Sequence, residues 1–206
     1  MKGDKMLKTT IKNVALVFET IDGLFSPKNI DSGTLAMLSV IDFDEHDKVC
    51  DLGCGYGVVG ILAAKLIGSE KVTLIDNDKQ AIEVAKRNVN LNQLPEMDVI
   101  LSDGFSNVQK TNFTKIISHP PYHVDFSIPK NFIEKGFNRL EKNGALYLVT
   151  KRKEWYMNKL TAVFGGVKIW EIDGYYVFMA IKKSENYAKV KKQKAKTPPK
   201  EKKRRR

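Results

Sequence analysis

From Lys48 onward, short apolar runs alternate with stretches of helical period. Val49-Cys50, Val72-Thr73-Leu74-Ile75, Val99-Ile100-Leu101, Ile116-Ile117 and Ala145–Thr150 are compact and uncharged, as buried strands are. Between them, Val58–Ile67, Gln80–Asn90, Pro129–Leu140 and a segment near Glu154–Phe164 read as helices. Two of these repeat apolar residues clearly at helical spacing, Ile82, Ala85 and Val89 in one, Phe132, Ile133, Phe137 and Leu140 in the other. Such alternation predicts βαβ units and a mostly parallel sheet. Both ends of the pattern depart from it. Val14–Glu19, Asp22-Gly23 and Leu24-Phe25 predict a hairpin or strand-turn lead-in, followed by a helix Gly33–Ile41 with Leu35, Leu38 and Ile41 on one face. At the far end, Val167–Ile172 and Tyr175–Ile181 flank Asp173-Gly174, a two-residue turn that predicts an antiparallel hairpin. Residues 1–12 are Lys-rich and expected to be loosely ordered; 13–184 are expected to form one domain, and 185–206 a disordered basic tail.

The predicted strand ends carry the polar chemistry. Asp51-Leu52 runs into Gly53-Cys54-Gly55-Tyr56-Gly57, and the helix from Val58 comes directly after. Glycines at alternate positions let the backbone turn sharply and approach a ligand, and a helix start presents unsatisfied N–H groups beside it. A dinucleotide-binding fold opens in the same way, so the loop takes its meaning from the strand ends downstream of it. The second strand ends in Asp76-Asn77, about 20 residues on, where an acid can accept both ribose hydroxyls. The third ends in Ser102-Asp103-Gly104, and the fourth in Ser118-His119-Pro120-Pro121-Tyr122. Ligands of open α/β sheets bind outside the carboxyl ends of the strands, so four polar ends in succession predict one cleft. Singly, Asp76 reads equally well as a helix cap; the series argues for a ligand.

With these residues the sequence resembles the class I S-adenosylmethionine-dependent methyltransferases. Within them it is similar to the small-domain group that includes the guanine-N2 methyltransferases of small-subunit ribosomal RNA. The resemblance runs from about Phe18 to Lys182 and takes in Phe25-Ser26-Pro27, Asp31-Ser32-Gly33-Thr34, the glycine loop, Asp76, Asp103 and the Pro-Pro-Tyr strand end. It implies a Rossmann-like, doubly wound, mostly parallel seven-stranded sheet with a C-terminal antiparallel hairpin, and S-adenosyl-L-methionine as cofactor. By the same resemblance Asp51, Gly53, Cys54, Gly55, Tyr56 and Gly57 cradle the methionine part. Asp76 and Asn77 hold the ribose, Ser102, Asp103 and Gly104 meet the adenine, and His119 borders the cofactor. Phe25, Thr34, Tyr122 and Lys130 are expected to meet the substrate. A nicotinamide reading fits less well, because the loop lacks the G-x-G-x-x-G spacing and Pro-Pro-Tyr has no role in hydride transfer.

Charge adds a partner. The chain has 206 residues, with 35 Lys and Arg against 24 Asp and Glu. Residues 189–206 hold eleven of the basic residues and one Glu, so 1–188 keep 24 basic and 23 acidic and are nearly neutral. A basic, apolar-poor tail fits a flexible arm that gathers phosphates and adds salt-sensitive affinity for RNA. Ribosomal RNA or a ribosomal subunit is therefore the expected partner, through the cleft and this tail. No apolar run reaches the roughly 18 residues of a membrane span, and no cleavable leader is apparent, so a soluble, cytoplasmic protein is expected. Cys50 and Cys54 suit free thiols rather than a disulfide or a metal site.

The fourth strand end suggests the reaction. An exocyclic amine on a nucleobase is a weak nucleophile because its lone pair is delocalised into the ring. Acceptors aimed at its hydrogens localise that pair while a sulfonium methyl waits in line. Pro120-Pro121 stiffens the backbone and presents carbonyl oxygens, and Tyr122 can stack on a base drawn from its helix. In the enzymes this chain resembles, the residue before the two prolines is usually Asn; here it is His119. A neutral imidazole keeps one acceptor nitrogen and a protonated one keeps none, so His119 must be neutral, and activity should rise as it titrates, near pH 6 to 7 for an unperturbed ring. Glutamine N-methylation of a protein, or cofactor and RNA binding without turnover, are the competing functions. Lys151-Arg152-Lys153 could contact phosphates; Trp155 and Trp170 read as core, His46 as surface and His123 as rim.

Overall fold

The computed structural model describes residues 5–121 and 125–187. In chain order the elements are β1 (Lys5–Ile11), β2 (Val14–Thr20), α1 (Ser32–Ser39), β3 (Val49–Leu52), α2 (Val58–Ile67), β4 (Val72–Asp76), α3 (Lys79–Leu91), β5 (Asp98–Leu101), β6 (Phe113–Ser118), α4 (Ser127–Arg139), β7 (Leu140–Thr150), α5 (Lys153–Phe164), β8 (Lys168–Ile172) and β9 (Tyr175–Ile181). Seven strands form one sheet in the order β5-β4-β3-β6-β7-β9-β8, with β1 and β2 as a separate hairpin. Strands β3 to β7 run parallel, and β9 is antiparallel to both β7 and β8. This is the expected doubly wound sheet with its closing hairpin, whose turn residues Asp173 and Gly174 both have positive φ.

Alternation along the strands divides the core. Val49 packs beneath α1, α2, α3 and the β1–β2 hairpin, whereas Cys50 and Leu52 face the opposite layer with α4 and α5. After β3 the chain winds toward β4 and β5, then crosses back to β6 on the other side of β3. The glycine loop therefore stands at the switch point of the sheet, where neighbouring connections diverge and leave a crevice. Register brings the strand ends level: Leu52 pairs with both Ile75 and Ser118, and Asp76 with Leu101.

The N-terminal segment corrects the expectation of a loose lead. Residues 5–11 pair with β2 in unbroken register from Lys5↔Thr20 to Ile11↔Val14. The turn is Lys12-Asn13, at φ 50° and 64°, and Asp22-Gly23 comes after the hairpin instead of forming it. The strand was hard to see because Leu7 and Ile11 alone give it an apolar side; pairing with β2, rather than its own pattern, holds it. Two side-chain amides, Asn88 of α3 and Asn92 at its C-cap, complete the hairpin's other edge. Asn92 exchanges hydrogen bonds with the Val17 backbone (3.2 and 2.7 Å) and Asn88 with that of Glu19 (2.6 and 2.9 Å). Helix α1 starts and stops earlier than its apolar pattern suggests, leaving Leu35 exposed while Ile41 is buried beyond the helix end. Trp155 and Trp170 are only half-buried. Among the described residues no helix is long and apolar enough to cross a membrane. Tyr122, His123 and the tail 189–206 lie outside the described residues.

Candidate active site

The four strand ends and the segment preceding α1 enclose a cavity of about 260 Å³. Its floor is the glycine loop, with Gly53, Gly55 and Gly57 at φ 77°, 55° and 98°. The bend is pinned from below, because the N–H groups of Gly53 and Cys54 both donate to the Ile75 carbonyl (2.8 and 2.9 Å). Gly57 is the left-handed N-cap of α2 and has no side chain to offer the helix. Asp51 supplies what is missing: its Oδ2 accepts the Gly60 N–H at 2.8 Å. Burial pushes the Asp51 carboxyl up to about 7; the Gly60 bond opposes this, and the charge of Asp76 adds to it. A buried acid that ionises with difficulty is matched to a cation. Tyr56 and Cys54 are buried beside the loop, and the Cys54 thiol is raised well above its ordinary range by burial, which makes it inert.

Asp76 is more than a helix cap. Asp78 caps α3, accepting the Gln80 N–H at 2.8 Å. Asp76 instead reaches back, taking the Gly55 N–H on Oδ2 (2.8 Å) and the Asp78 N–H on Oδ1 (2.9 Å). Each oxygen keeps a second lone pair. Asn77, Asp103 and Gly104 also line the cavity. Ser102 lines it too, but its buried hydroxyl accepts the Asn107 N–H (2.9 Å), holding the loop after β5. Apolar walls come from Ile75 and Phe132, which the sequence pattern offered only as buried strand and helix positions, and from Ala81 and Ile128, which it did not single out.

On the opposite side stands His119, its side chain 8% exposed. Its Nδ1 lies 3.1 Å from Thr34 Oγ1 and 3.3 Å from Asp31 Oδ2. The same Asp31 oxygen accepts the Thr34 N–H (2.8 Å) as N-cap of α1. Phe25, half exposed, meets the imidazole edge-on at 5.1 Å, and Tyr175 of β9 does so at 6.3 Å. Gly33 makes room for that tyrosine, since a Cβ there would lie 2.5 Å from Tyr175 Cε1. Burial pushes the His119 pKa down to about 4, and the Asp31 charge only partly opposes it. The ring is therefore neutral at physiological pH, and the expected activity change near pH 6.5 moves to the acid side.

Most, but not all, of the expected site residues meet the cavity. Phe25, Thr34, Asp51, Gly53–Tyr56, Asp76, Asn77, Ser102–Gly104, His119 and Pro121 line it. Gly57 shapes the loop from outside the lining, Pro120 is buried behind the wall, and Lys130 is exposed on α4 away from the cavity. Tyr122 lies outside the described residues. Asp31 is the residue whose part the sequence pattern did not reveal; an Asp three residues before Thr34 is an N-cap signal, but nothing local ties it to His119. Among the described residues no group of three His, Cys, Asp or Glu side chains is placed to hold a metal ion.

A glycine loop at the switch point of a doubly wound sheet, with acids at the next two strand ends and a closing antiparallel hairpin, defines a class I methyltransferase fold. The chain belongs to the methyltransferase small domain family, S-adenosylmethionine-dependent methyltransferases, whose model matches residues 15–179. Ribosomal RNA small subunit methyltransferase C of Buchnera aphidicola is 34% identical over 166 residues, covering 78% of this chain and 51% of that protein. The uncharacterized protein YbxB of Bacillus subtilis is 28% identical over 178 residues, covering 84% and 89%. Among solved structures, the 16S rRNA N2 methyltransferase RsmC of T. thermophilus, in complex with AdoMet and guanosine, superposes with a TM-score of 0.79 at 22% identity. It covers 87% of this chain and 50% of that one, and at this identity speaks for the fold. The chain thus spans about half the length of the ribosomal RNA methyltransferases it matches.

The cavity fits the family's cofactor. Gly57 sits at φ 98°, where a side chain is strained, and a Cβ there would crowd Ile61 Cδ1 at 3.0 Å and Leu74 Cδ2 at 3.1 Å, so the turn favours glycine. Asp51 offers a buried partner for an ammonium group, Asp76 a carboxylate with lone pairs remaining, and Phe132 and Ala81 an apolar wall for a flat ring.

Proposed function

We propose that this protein transfers a methyl group from S-adenosylmethionine to an exocyclic amine of an RNA base, with guanine N2 of small-subunit ribosomal RNA as the target. The observation that carries the reading is the placing of His119 and Pro121 in the wall of the same cavity as Asp51, Asp76 and the glycine loop. Curated relatives that act on ribosomal RNA support the choice of substrate.

On this reading Asp51 and residues 53–57 hold the methionine part, Asp76 and Asn77 the ribose, and Ser102 to Gly104 the adenine. The cofactor, when bound, supplies an electrophilic methyl on sulfonium sulfur. Neutral His119 accepts a hydrogen bond from the amine and draws its lone pair away from the base ring. Pro120 and Pro121 keep the acceptors on a stiff backbone, so orientation lowers the barrier without rearrangement. Phe25 and Tyr122 contact the base, and the tail 189–206 tracks phosphates. Lys130, being exposed away from the cavity, is left with at most a contact to RNA outside the cleft.

The test is methyl transfer from labelled cofactor to small ribosomal subunits, total RNA and protein in parallel. Label in N2-methylguanosine of small-subunit RNA is expected. Label in protein glutamine, or tight cofactor binding with no transfer to any of the three, would overturn the reading. Removal of residues 189–206 is expected to weaken RNA binding and flatten its dependence on salt, without altering cofactor affinity.

A further inference from the structure

Two groups beside His119 Nδ1, Thr34 Oγ1 and Asp31 Oδ2, constrain where its hydrogen sits. Asp31 Oδ2 is 3.3 Å away and, as an ionised carboxylate, can only accept. A bare Nδ1 would set lone pair against lone pair in a pocket where the two side chains are 8% and 14% exposed. A hydrogen on Nδ1 satisfies the carboxylate and is compatible with Thr34 Oγ1 at 3.1 Å, whose hydroxyl can accept as readily as donate. The carboxylate itself cannot swing away, because the same oxygen caps α1 through the Thr34 N–H at 2.8 Å. Asp31 is thus fixed by the helix and His119 by Asp31.

We infer that Asp31 is a positioning residue that locks His119 in the Nδ1–H tautomer, so that Nε2 is the nitrogen that accepts from the substrate amine. The inference deepens the proposed function and rests on it for the identity of the amine. An amide has a fixed acceptor oxygen, whereas an imidazole has a fixed acceptor only when something chooses its tautomer. The α1 cap does the choosing. Facing the ring among the described residues are Asp31 and Thr34 from the start of α1, Phe25 before it, and Tyr175 from β9, with the Lys151 ammonium 4.9 Å beyond, over the tyrosine ring. Asp31 is the one anion in this set.

Asp31→Ser tests this without removing the helix cap, because Ser caps as well as Asp. Its hydroxyl can accept the Thr34 N–H and still donate its own hydrogen to Nδ1, so no group that can only accept remains there and the choice of tautomer is lost. Imidazole nitrogen NMR of the full-length protein, with the His119 signals assigned by their loss in His119→Asn, is expected to show the hydrogen on Nδ1 alone in the wild type and a mixture in Asp31→Ser. Turnover on RNA should fall about tenfold, as for one misdirected hydrogen bond, with KM for RNA and cofactor affinity unchanged. Thr34→Val should keep the Nδ1–H signal, since the carboxylate remains. A wild-type ring protonated on Nε2, or undiminished turnover in Asp31→Ser, would overturn the inference. The spectrum needs no turnover, so it judges the tautomer even if the wild type proves not to methylate RNA.

Discussion

The two sides of the cleft are built by different means. On the β4–β5 side the main chain sets the shape: Gly53, Cys54 and Ser102 N–H groups donate to carbonyls of β4, and Gly55 N–H to the Asp76 carboxylate. On the β6–β9 side the contacts join side chains from separate segments, with His119 meeting Asp31, Thr34, Phe25 and Tyr175. Backbone amides cannot be altered without altering the fold, whereas four side chains can be exchanged one at a time. The cofactor side therefore behaves as part of the scaffold, and the amine side as a layer laid over it whose chemistry can vary while the sheet stays the same.

Asp76→Ala gives the largest expected break in that contrast. It removes the acceptor for Gly55 N–H and Asp78 N–H together with the ribose partner. Charge-assisted hydrogen bonds contribute about 1.5–3 kcal/mol each, so cofactor affinity should fall by more than about 100-fold in calorimetry. The His119 tautomer signal should be unchanged; a change there would mean that the two sides are not independent. Gly60→Ala comes next. A Cβ at Gly60 would lie 2.5 Å from Leu74 Cδ1 and 3.2 Å from Asp51 Oδ2, so the buried Leu74 side chain or α2 must move. Overpacking of this kind costs about 1–3 kcal/mol, to be read from denaturant unfolding, and it should weaken cofactor binding by displacing Asp51.

The same contrast governs what the sequence disclosed. The glycine loop, Asp51 and Asp76 were legible because strand, turn and helix succeed one another closely and parallel pairing puts successive strand ends level. Helix α2 was placed at its observed limits by its apolar run between glycines. The amine side depends on a hydrogen bond between residues 85 positions apart, which no local pattern encodes. Asp31 caps α1, and that it also meets His119 is a fact of the tertiary fold. Lys130 does not line the cavity for the related reason that closeness to Tyr122 in the chain says nothing about which way α4 turns it. Strand β1 has little local signature because its stability lies in the partner strand.

Asp51 supplies a smaller effect on the cofactor side. With its carboxyl pushed up to about 7 by burial, it is largely protonated at pH 5.5 and about half ionised at neutrality. An ammonium beside it favours the ionised form, and a model α-amino group stays charged below about 7.7. Cofactor affinity should thus rise about tenfold between pH 5.5 and 7, the order expected for one group titrating across that range. Calorimetry in buffers of differing ionisation enthalpy should detect a proton released on binding, and Asp51→Asn should bind weakly with no slope. A wild type without slope would mean that Asp51 meets no cation.

His119→Asn is expected to have the smallest effect of all at neutral pH, and it separates the amine side from the scaffold most cleanly. Both the neutral ring and the amide present one acceptor, so the rates should agree within about threefold, less than one net hydrogen bond of about 1 kcal/mol. The profiles should run together from pH 6 to 8, because burial holds His119 near 4. They should part only in acid, where the wild type loses its acceptor as pH falls through that value and the amide does not. Stability depends on the same group with a definite sign. The unfolded chain takes up a proton at His119 near pH 6.5 and the folded chain only near 4, so this contribution is present above 6.5 and lost as pH falls toward 4. The wild type should therefore lose more thermal stability than His119→Asn between pH 7 and 4.5. Equal losses would place the ring in contact with water and remove the burial on which its neutrality depends.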